Sequence, residues 1–133
     1  IDGINREIKD GNVHQWQAEM GSVGPWITLD WKQAVSLSQV ECTFDTGLHR
    51  FLRISGEKVV LKDQVRGPQP ETVSDFLIEL TYQGKSVYKT LIKDNYLRKF
   101  IHQFPAVKAD NLRITVQKTH GDKLARIFEI RCY

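Results

Sequence analysis

Apolar and polar residues alternate with a period of two over much of this chain. In residues 37–45 the apolar residues Val40, Cys42 and Phe44 alternate with polar residues at positions 41, 43 and 45. The same alternation recurs in residues 75–82 and 112–116. This period is typical of strands that turn one face to a core and the other to water. The pattern therefore predicts an all-β fold.

Turn residues separate these segments. Gln83-Gly84-Lys85 predicts a tight hairpin, and Thr119-His120-Gly121-Asp122 predicts a second turn. Residues 62–72 include Gly67-Pro68-Gln69-Pro70 and are expected to form a surface loop, because proline cannot donate to a central ladder. Short strands separated by turns at intervals of about 8–12 residues predict an antiparallel β-sandwich or jelly roll.

Two segments could be helical. Residues 5–15 are polar and interrupted by glycine, so a loop is expected there. Residues 97–104 fit a short helix about as well as a strand, because eight residues are too few for periodicity to decide.

The 133 residues are enough to bury a core, so residues 1–133 are expected to form one domain. No apolar run approaches the roughly 20 residues that cross a bilayer, so no membrane span is expected. The chain begins Ile1-Asp2-Gly3, which we interpret as the start of a piece of a larger protein. The net charge is +3, and the basic residues are scattered among acids rather than concentrated on one face. Nucleic acid is therefore not an expected partner.

The two cysteines, Cys42 and Cys132, are in step with apolar neighbours and are both expected to point inward. Buried free thiols are the favoured interpretation. A disulfide between the two strands is the alternative, because its geometry cannot be read from a sequence.

No enzyme motif is present: the sequence has no phosphate-binding loop, nucleophile elbow or paired metal-binding histidines. His102 alternates with Phe100 and Phe104 and is expected to be half-buried. Pairs of acids, Asp2 with Glu129 or Asp30 with Asp45, leave a small glycoside hydrolase as one hypothesis, which requires two carboxylates facing each other across a cleft. Most acids occupy outward strand positions, so solvated faces are favoured.

The tryptophans are candidate platforms for a sugar ring or parts of the core. Ile27, Leu29 and Trp31 share one strand face, which leaves Trp26 on the other. Trp16 and Trp31 are expected to pack on the core. Trp26 stays open between the two roles.

Two parts of the chain carry a resemblance to a known family. The first runs from Asp2-Gly3 through Trp16 and Trp26-Ile27 to Leu29-Asp30, and the second is Leu112-Arg113-Ile114 followed by residues 125–133. Their order resembles discoidin-like domains, the factor V/VIII type C and galactose-binding-like modules. The resemblance implies an antiparallel jelly-roll β-sandwich of about eight strands whose loops bind carbohydrate, or phospholipid in some members.

The resemblance also implies candidate site residues. In many members an Asp in the opening loop and a Glu near the C-terminus hold a structural calcium, and Asp2 and Glu129 match those positions, although the usual Asn and Thr are Ile4 and Glu7 here. Family members bind sugar through residues of the loops. The corresponding candidates in this chain are His14, His49, Arg50 and Arg66, and Trp26 is added as the candidate aromatic platform.

A further likeness is to the C-terminal domain of bacterial FAD-dependent oxidoreductases, carried by Phe44-Asp45-Thr46-Gly47-Leu48 and residues 127–133. We therefore expect a non-catalytic carbohydrate-binding or accessory module of a larger secreted enzyme, located outside the cell or in the periplasm. Two alternatives remain open. One is a structural domain that packs on its parent catalytic domain, and the other is the glycoside hydrolase.

Overall fold

The structure of the protein, a computed structural model, describes residues 3–6, 8, 13–50, 56–62 and 64–133. The regular elements of these residues are, in chain order, β1 (Trp16–Glu19), β2 (Trp26–Phe44), α1 (Lys58–Lys62), β3 (Val73–Tyr82), β4 (Lys85–Ile92), β5 (Lys99–Thr119) and β6 (Leu124–Cys132). The strands pair in antiparallel fashion in the order β1-β6-β2-β5-β3-β4.

The two longest strands, β2 and β5, change their pairing partway along. Their register shifts between Asp30 and Val35 and again between Leu37 and Gln39. Beyond these shifts, the second half of β2 pairs with β6 and with the first half of β5. The first half of β2 pairs with the second half of β5, which continues through β3 to β4. The sheet is thereby divided into two parts.

Aromatic contacts show that these two parts face each other as layers. The ring of Phe76 on β3 lies 5.0 Å from that of Phe44 on β2 and 5.2 Å from that of Phe100 on β5, between centroids. Tyr88 on β4 stacks on Phe104 at 4.5 Å, although β3 separates β4 from β5 in the strand order. The predicted all-β sandwich is confirmed. The described residues form six strands rather than the expected eight or so, because β2 and β5 each continue from one layer into the other.

The alternating apolar positions form the core, as predicted. Burying one such side chain stabilises the fold by about 1.5–3 kcal/mol, because apolar surface leaves water. The buried members of the three predicted strands are Val40, Cys42, Phe44, Phe76, Ile78, Leu80, Leu112, Ile114 and Val116. Trp16 and Trp31 are partly buried and pack against this core, also as predicted.

Both predicted turns are present. Gln83 and Gly84 connect β3 to β4, and their φ angles of 50° and 75° are both positive, as a type I′ hairpin turn requires. His120 and Gly121 lie between β5 and β6. The ambiguity over residues 97–104 is resolved in favour of a strand, because β5 begins at Lys99.

The sequence pattern did not predict β1 or α1. The four residues of β1 are too few to show a period, and the strand exists because it pairs with β6, with Trp16 opposite Ile127. α1 has five residues, fewer than two turns, so no helical face repeats along it. Among the described residues, no helix is long and apolar enough to cross a bilayer.

Cys42 and Cys132 are free thiols, as favoured from the sequence. Cys42 lies opposite Ile130 and Cys132 opposite Val40, so the two thiols are diagonal neighbours on adjacent strands. Burial raises the pKa of both, that of Cys132 to about 11. Because the thiolate is the reactive form, both thiols are unreactive near neutral pH.

The sandwich has two ends with different character. At the loop end, residues 45–50, 64–72, 93–98 and 120–123 come together. The hairpin end contains the β3–β4 turn and the shifted segments of β2 and β5. β3 runs from one end to the other.

Candidate functional site

An arginine joins two segments of the loop end. Arg50 Nη1 donates to Glu71 Oε1, and Arg50 Nη2 donates to Glu71 Oε2 at 2.7 Å and to Gln69 Oε1 at 2.6 Å. Glu71 is 5% exposed, and its pKa is lowered mainly by the hydrogen bonds from Arg50. The same bonds raise the pKa of Arg50. This bidentate pair fixes residues 45–50 against residues 69–71.

The turn before Arg50 depends on a glycine. Gly47 has a φ of 67°, and its amide donates to Asp45 Oδ1 at 2.8 Å. The carbonyl of Gly47 accepts from the amide of Arg50 at 3.0 Å. A Cβ at position 47 would lie 2.0 Å from Arg50 Nη2. The guanidinium can therefore reach Glu71 only because position 47 has no side chain.

A second arginine, Arg98, ties the start of β5 to the same loops. Arg98 Nη1 donates to the Phe44 carbonyl at 3.2 Å and to Thr46 Oγ1 at 3.3 Å, and Nη2 donates to the Asn5 carbonyl. Its guanidinium lies 5.0 Å from the centre of the Phe128 ring. Burial lowers the pKa of Arg98. The hydrogen bonds thus fix the orientation of the Arg98 guanidinium.

Asn95 holds the loop between β4 and β5 in place. Its amide donates to the Ser74 carbonyl at 2.9 Å, and its side-chain Nδ2 donates to the Val73 carbonyl at 2.8 Å. His120 Nε2 donates to the Asn95 carbonyl at 2.7 Å. The neighbouring Tyr96 points outward and is 67% exposed. An exposed aromatic side chain is therefore carried by a well-fixed loop.

These segments enclose a cleft of about 520 Å³, which we call the loop cleft. The hydroxyl of Thr72 is buried there and has no hydrogen-bond partner among the described residues. A buried polar atom without a hydrogen-bond partner is uncommon in proteins. The residues that line the loop cleft are Thr46, Gly67, Pro68, Gln69, Thr72, Tyr96, Leu97 and Arg98.

The structure brings three of the sequence-predicted sugar residues to the loop end. Arg50 is engaged with Glu71, and His49 Nε2 lies 3.9 Å from Glu71 Oε1 with 41% of its side chain exposed. Arg66 is exposed and stands next to Gly67 in the wall of the loop cleft. His14 is half-buried just before β1.

Trp26 lies on a different surface. It is 51% exposed on the outer face of the sheet, where the guanidinium of Arg113 sits 4.4 Å from the ring centre. The strand pairing places Trp26 beside Thr115, then Leu77 and Leu91, in one row across four strands.

The calcium site implied by Asp2 and Glu129 stays a prediction, because only Glu129 lies among the described residues. Glu129 Oε1 accepts from Arg131 Nη2 at 2.8 Å, so its carboxylate already has a cationic partner. Asp2 lies outside the described residues, and no group of three or more His, Cys, Asp or Glu within the described ranges could hold a metal.

Of the two acid pairs in the hydrolase hypothesis, Asp30 and Asp45 are not brought together. Asp30 lies at the hairpin end, where it pairs with Asn111, whereas Asp45 is buried at the loop end. The pair of Asp2 with Glu129 is untested, because Asp2 is not described.

Sequence reasoning missed Thr46, Gln69, Tyr96 and Arg98. These residues belong to three loops that only long-range contacts bring together. An exposed Tyr next to Leu97-Arg98, just before a strand, was the one signal available in the sequence.

No protein-family model and no curated protein matches the sequence. Solved structures do match. A chitosan-binding module from a Paenibacillus chitosanase/glucanase superposes with a TM-score of 0.63 at 13% identity, covering 93% of this chain and 80% of that one. A fucose-binding module of Streptococcus pneumoniae superposes with a TM-score of 0.62 at 12% identity, covering 90% of this chain and 71% of that one.

A third match is the family 32 carbohydrate-binding module of C. perfringens NanJ, solved in complex with galactose. It gives a TM-score of 0.58 at 18% identity and covers 92% of this chain and 79% of that one. At these identities the comparison establishes the fold alone, which is the predicted galactose-binding-like β-sandwich.

Proposed function

We propose that this domain is a non-catalytic carbohydrate-binding module whose sugar site is the loop cleft. The observation that carries the proposal is the position of exposed Tyr96 beside Arg98, on loops that hydrogen bonds hold in place. A rigid aromatic ring next to fixed polar groups suits a ligand with an apolar face and many hydroxyls.

The polar groups of the loop cleft have hydrogen-bonding capacity to spare. Arg98 has five N–H donors, of which three are used in the bonds described above. Thr46 accepts from Arg98, which leaves its own hydroxyl hydrogen free to donate. A saccharide that enters the cleft would meet donors and acceptors at fixed positions.

The similar structures support this proposal, because their names describe modules that bind fucose, galactose or chitosan. An extracellular or periplasmic location is also part of the proposal. The parent protein is a sugar-processing enzyme or the FAD-dependent oxidoreductase that the sequence resembles. Determining the sequence encoded before Ile1 would distinguish them, because a flavin enzyme carries a dinucleotide fingerprint.

The predicted residues of the loop end have different roles in this proposal. Arg50 positions the cleft, because its guanidinium is used within the protein. His49 and Arg66 stand at the rim and have exposed side chains that can reach a longer saccharide. His14 precedes β1 and is proposed only as a distant contributor.

One observation favours a second role, in docking on the parent catalytic domain. The row of Trp26, Thr115, Leu77 and Leu91 crosses the outer face, and its end members are 51% and 43% exposed. An exposed apolar row of this kind is typical of a surface that another protein covers.

A glycan array with purified protein tests the sugar proposal. We expect the wild-type domain to bind a defined subset of glycans and Tyr96→Ala to lose that binding. Trp26→Ala is the matched control, because it removes an exposed aromatic from another surface. Equal loss in both variants, or full binding by Tyr96→Ala, would place the sugar site elsewhere.

A further inference from the structure

A second cleft opens at the hairpin end of the sandwich. Its volume is about 670 Å³, and we call it the hairpin-end cleft. Two acids, two amines, three amide side chains and two aromatic rings line it, together with one alanine. These residues are Asp30, Trp31, Lys32, Gln33, Ala34, Tyr82, Gln83, Lys108, Asp110 and Asn111.

The cleft results from an irregularity in the central strand pair. Asp30 pairs with Asn111 and Val35 pairs with Ala109, so residues 31–34 of β2 stand opposite Asp110 alone. Residues 31–34 therefore have no register partners of their own on β5, and all four line the cleft. Bulges of this kind are often found beside binding sites, where they re-aim side chains.

Hydrogen bonds fix the polar groups of the hairpin-end cleft. Asn111 Nδ2 donates to Asp30 Oδ1 at 2.8 Å, which joins β2 to β5 on one side. The Gln83 amide donates to Asp110 Oδ2 at 2.8 Å, which ties the hairpin turn to the opposite side. Each carboxylate keeps its second oxygen as an acceptor. The cleft thus presents acceptors at two fixed points without a ligand.

Aromatic surface completes the cleft. Trp31 is half-buried and packs on the core, so its ring is held in one orientation. Tyr82 ends β3, and Lys108 Nζ lies 5.1 Å from the centre of its ring. Rigid aromatic rings combined with planar polar side chains can bind a molecule that has both C–H faces and hydroxyls.

The charges decide which ligand fits. Two carboxylates, Asp30 and Asp110, are balanced by two amines, Lys32 and Lys108. A site with balanced charge and many hydrogen-bonding groups does not select a charged molecule by long-range attraction. From these observations we infer that the hairpin-end cleft is a second binding site, for an uncharged saccharide.

This inference goes beyond the proposed function because the two clefts cannot serve one short ligand. Thr72 lines the loop cleft and Tyr82 lines the hairpin-end cleft, at opposite ends of β3. At 3.3 Å per residue they are about 30 Å apart. A domain with both sites can bridge two glycan chains, and on a polyvalent surface the two sites reinforce each other's binding.

The test is a sugar titration of the ¹⁵N-labelled domain that is monitored by NMR. Galactose, fucose, glucose and mannose are added separately, and the Trp31 indole N–H with the Asn111 and Gln83 side-chain amides report on the hairpin-end cleft. We expect at least one sugar to shift these signals with a saturating dependence on concentration. If none of the four sugars shifts them, the inference is wrong, whatever happens at the loop cleft.

Variants separate this inference from the proposed function. Lys108→Ala/Asn111→Ala should abolish the shifts at Trp31 and leave those at Tyr96 and Arg98 unchanged, and Tyr96→Ala should do the reverse. Loss of the Trp31 shifts in Tyr96→Ala would show that one site produces both effects and would contradict the inference. If the double variant does not fold, the wild-type titration still decides.

Discussion

Arg50 donates hydrogen bonds to Glu71 from both of its terminal nitrogens, and this pair joins two segments at the loop end of the sandwich. The two residues are 21 positions apart, and Glu71 is 5% exposed. Leaving a buried carboxylate without its cationic partner lowers the free energy of unfolding. Removing Arg50 should therefore destabilise the domain through the carboxylate of Glu71 that remains.

Arg50→Ala should destabilise the domain by about 2 kcal/mol, since it leaves Glu71 buried and unpaired. The usual cost of breaking such a pair is about 3–5 kcal/mol, and the partial exposure of Arg50 reduces it. Urea denaturation measures the effect. Arg66→Ala removes an exposed arginine from the same end and should change stability by less than about 0.5 kcal/mol. Equal effects in the two variants would contradict a specific role for the pair.

Gly47→Ala should also destabilise the domain, by about 1–3 kcal/mol. Alanine is strained at a φ of 67°, and its Cβ would displace the Arg50 guanidinium. Gly21→Ala is the matched control, because a Cβ there would meet nothing within 4 Å and φ is not positive. Thermal unfolding of both variants checks the prediction. A neutral Gly47→Ala would mean that Arg50 does not depend on this turn.

Acid should destabilise the fold through His102. This residue bonds Tyr88 at 2.7 Å, and burial lowers its pKa from the ordinary value of 6.5. The unfolded chain therefore binds a proton at higher pH than the folded one. The contribution of His102 to stability should fall as the pH drops below about 6.5 and level off below the pKa of this histidine in the folded state.

Thermal unfolding across this pH range, compared with His102→Gln, isolates the effect of His102. The variant should show a shallower loss of stability on the acid side. An unchanged slope in His102→Gln would assign the acid sensitivity to other groups.

Much of the fold was predictable because alternation is a local property. The buried faces around Phe44, Phe76 and Ile114 and the turn at Gly84 all follow from neighbouring residues. The continuity of β5 does not follow from neighbouring residues. Pro105 and Asp110-Asn111 have the composition of turns, yet β5 passes through both. Residues 104–106 lie at a register shift, where the ladder does not require a proline N–H.

The site was less predictable than the fold for the same reason. The sequence marked His49, Arg50 and Arg66 as polar loop residues, and all three lie at the loop end. It could not show that Arg50 is bound to Glu71, or that Tyr96 and Arg98 join Thr46 across 50 residues of chain. Clefts between loops are built from long-range contacts, which leave no period in a sequence.

The most direct test of the central claim is the affinity of the loop cleft for a glycan selected on the array, measured by isothermal titration calorimetry. Tyr96→Ala should weaken binding at least about tenfold, since each 1.4 kcal/mol of lost contact is one factor of ten. Tyr96→Phe, which keeps the ring, should retain most of the affinity, and Trp26→Ala should match the wild type. Undiminished binding by Tyr96→Ala would contradict the assignment of the sugar site to the loop cleft.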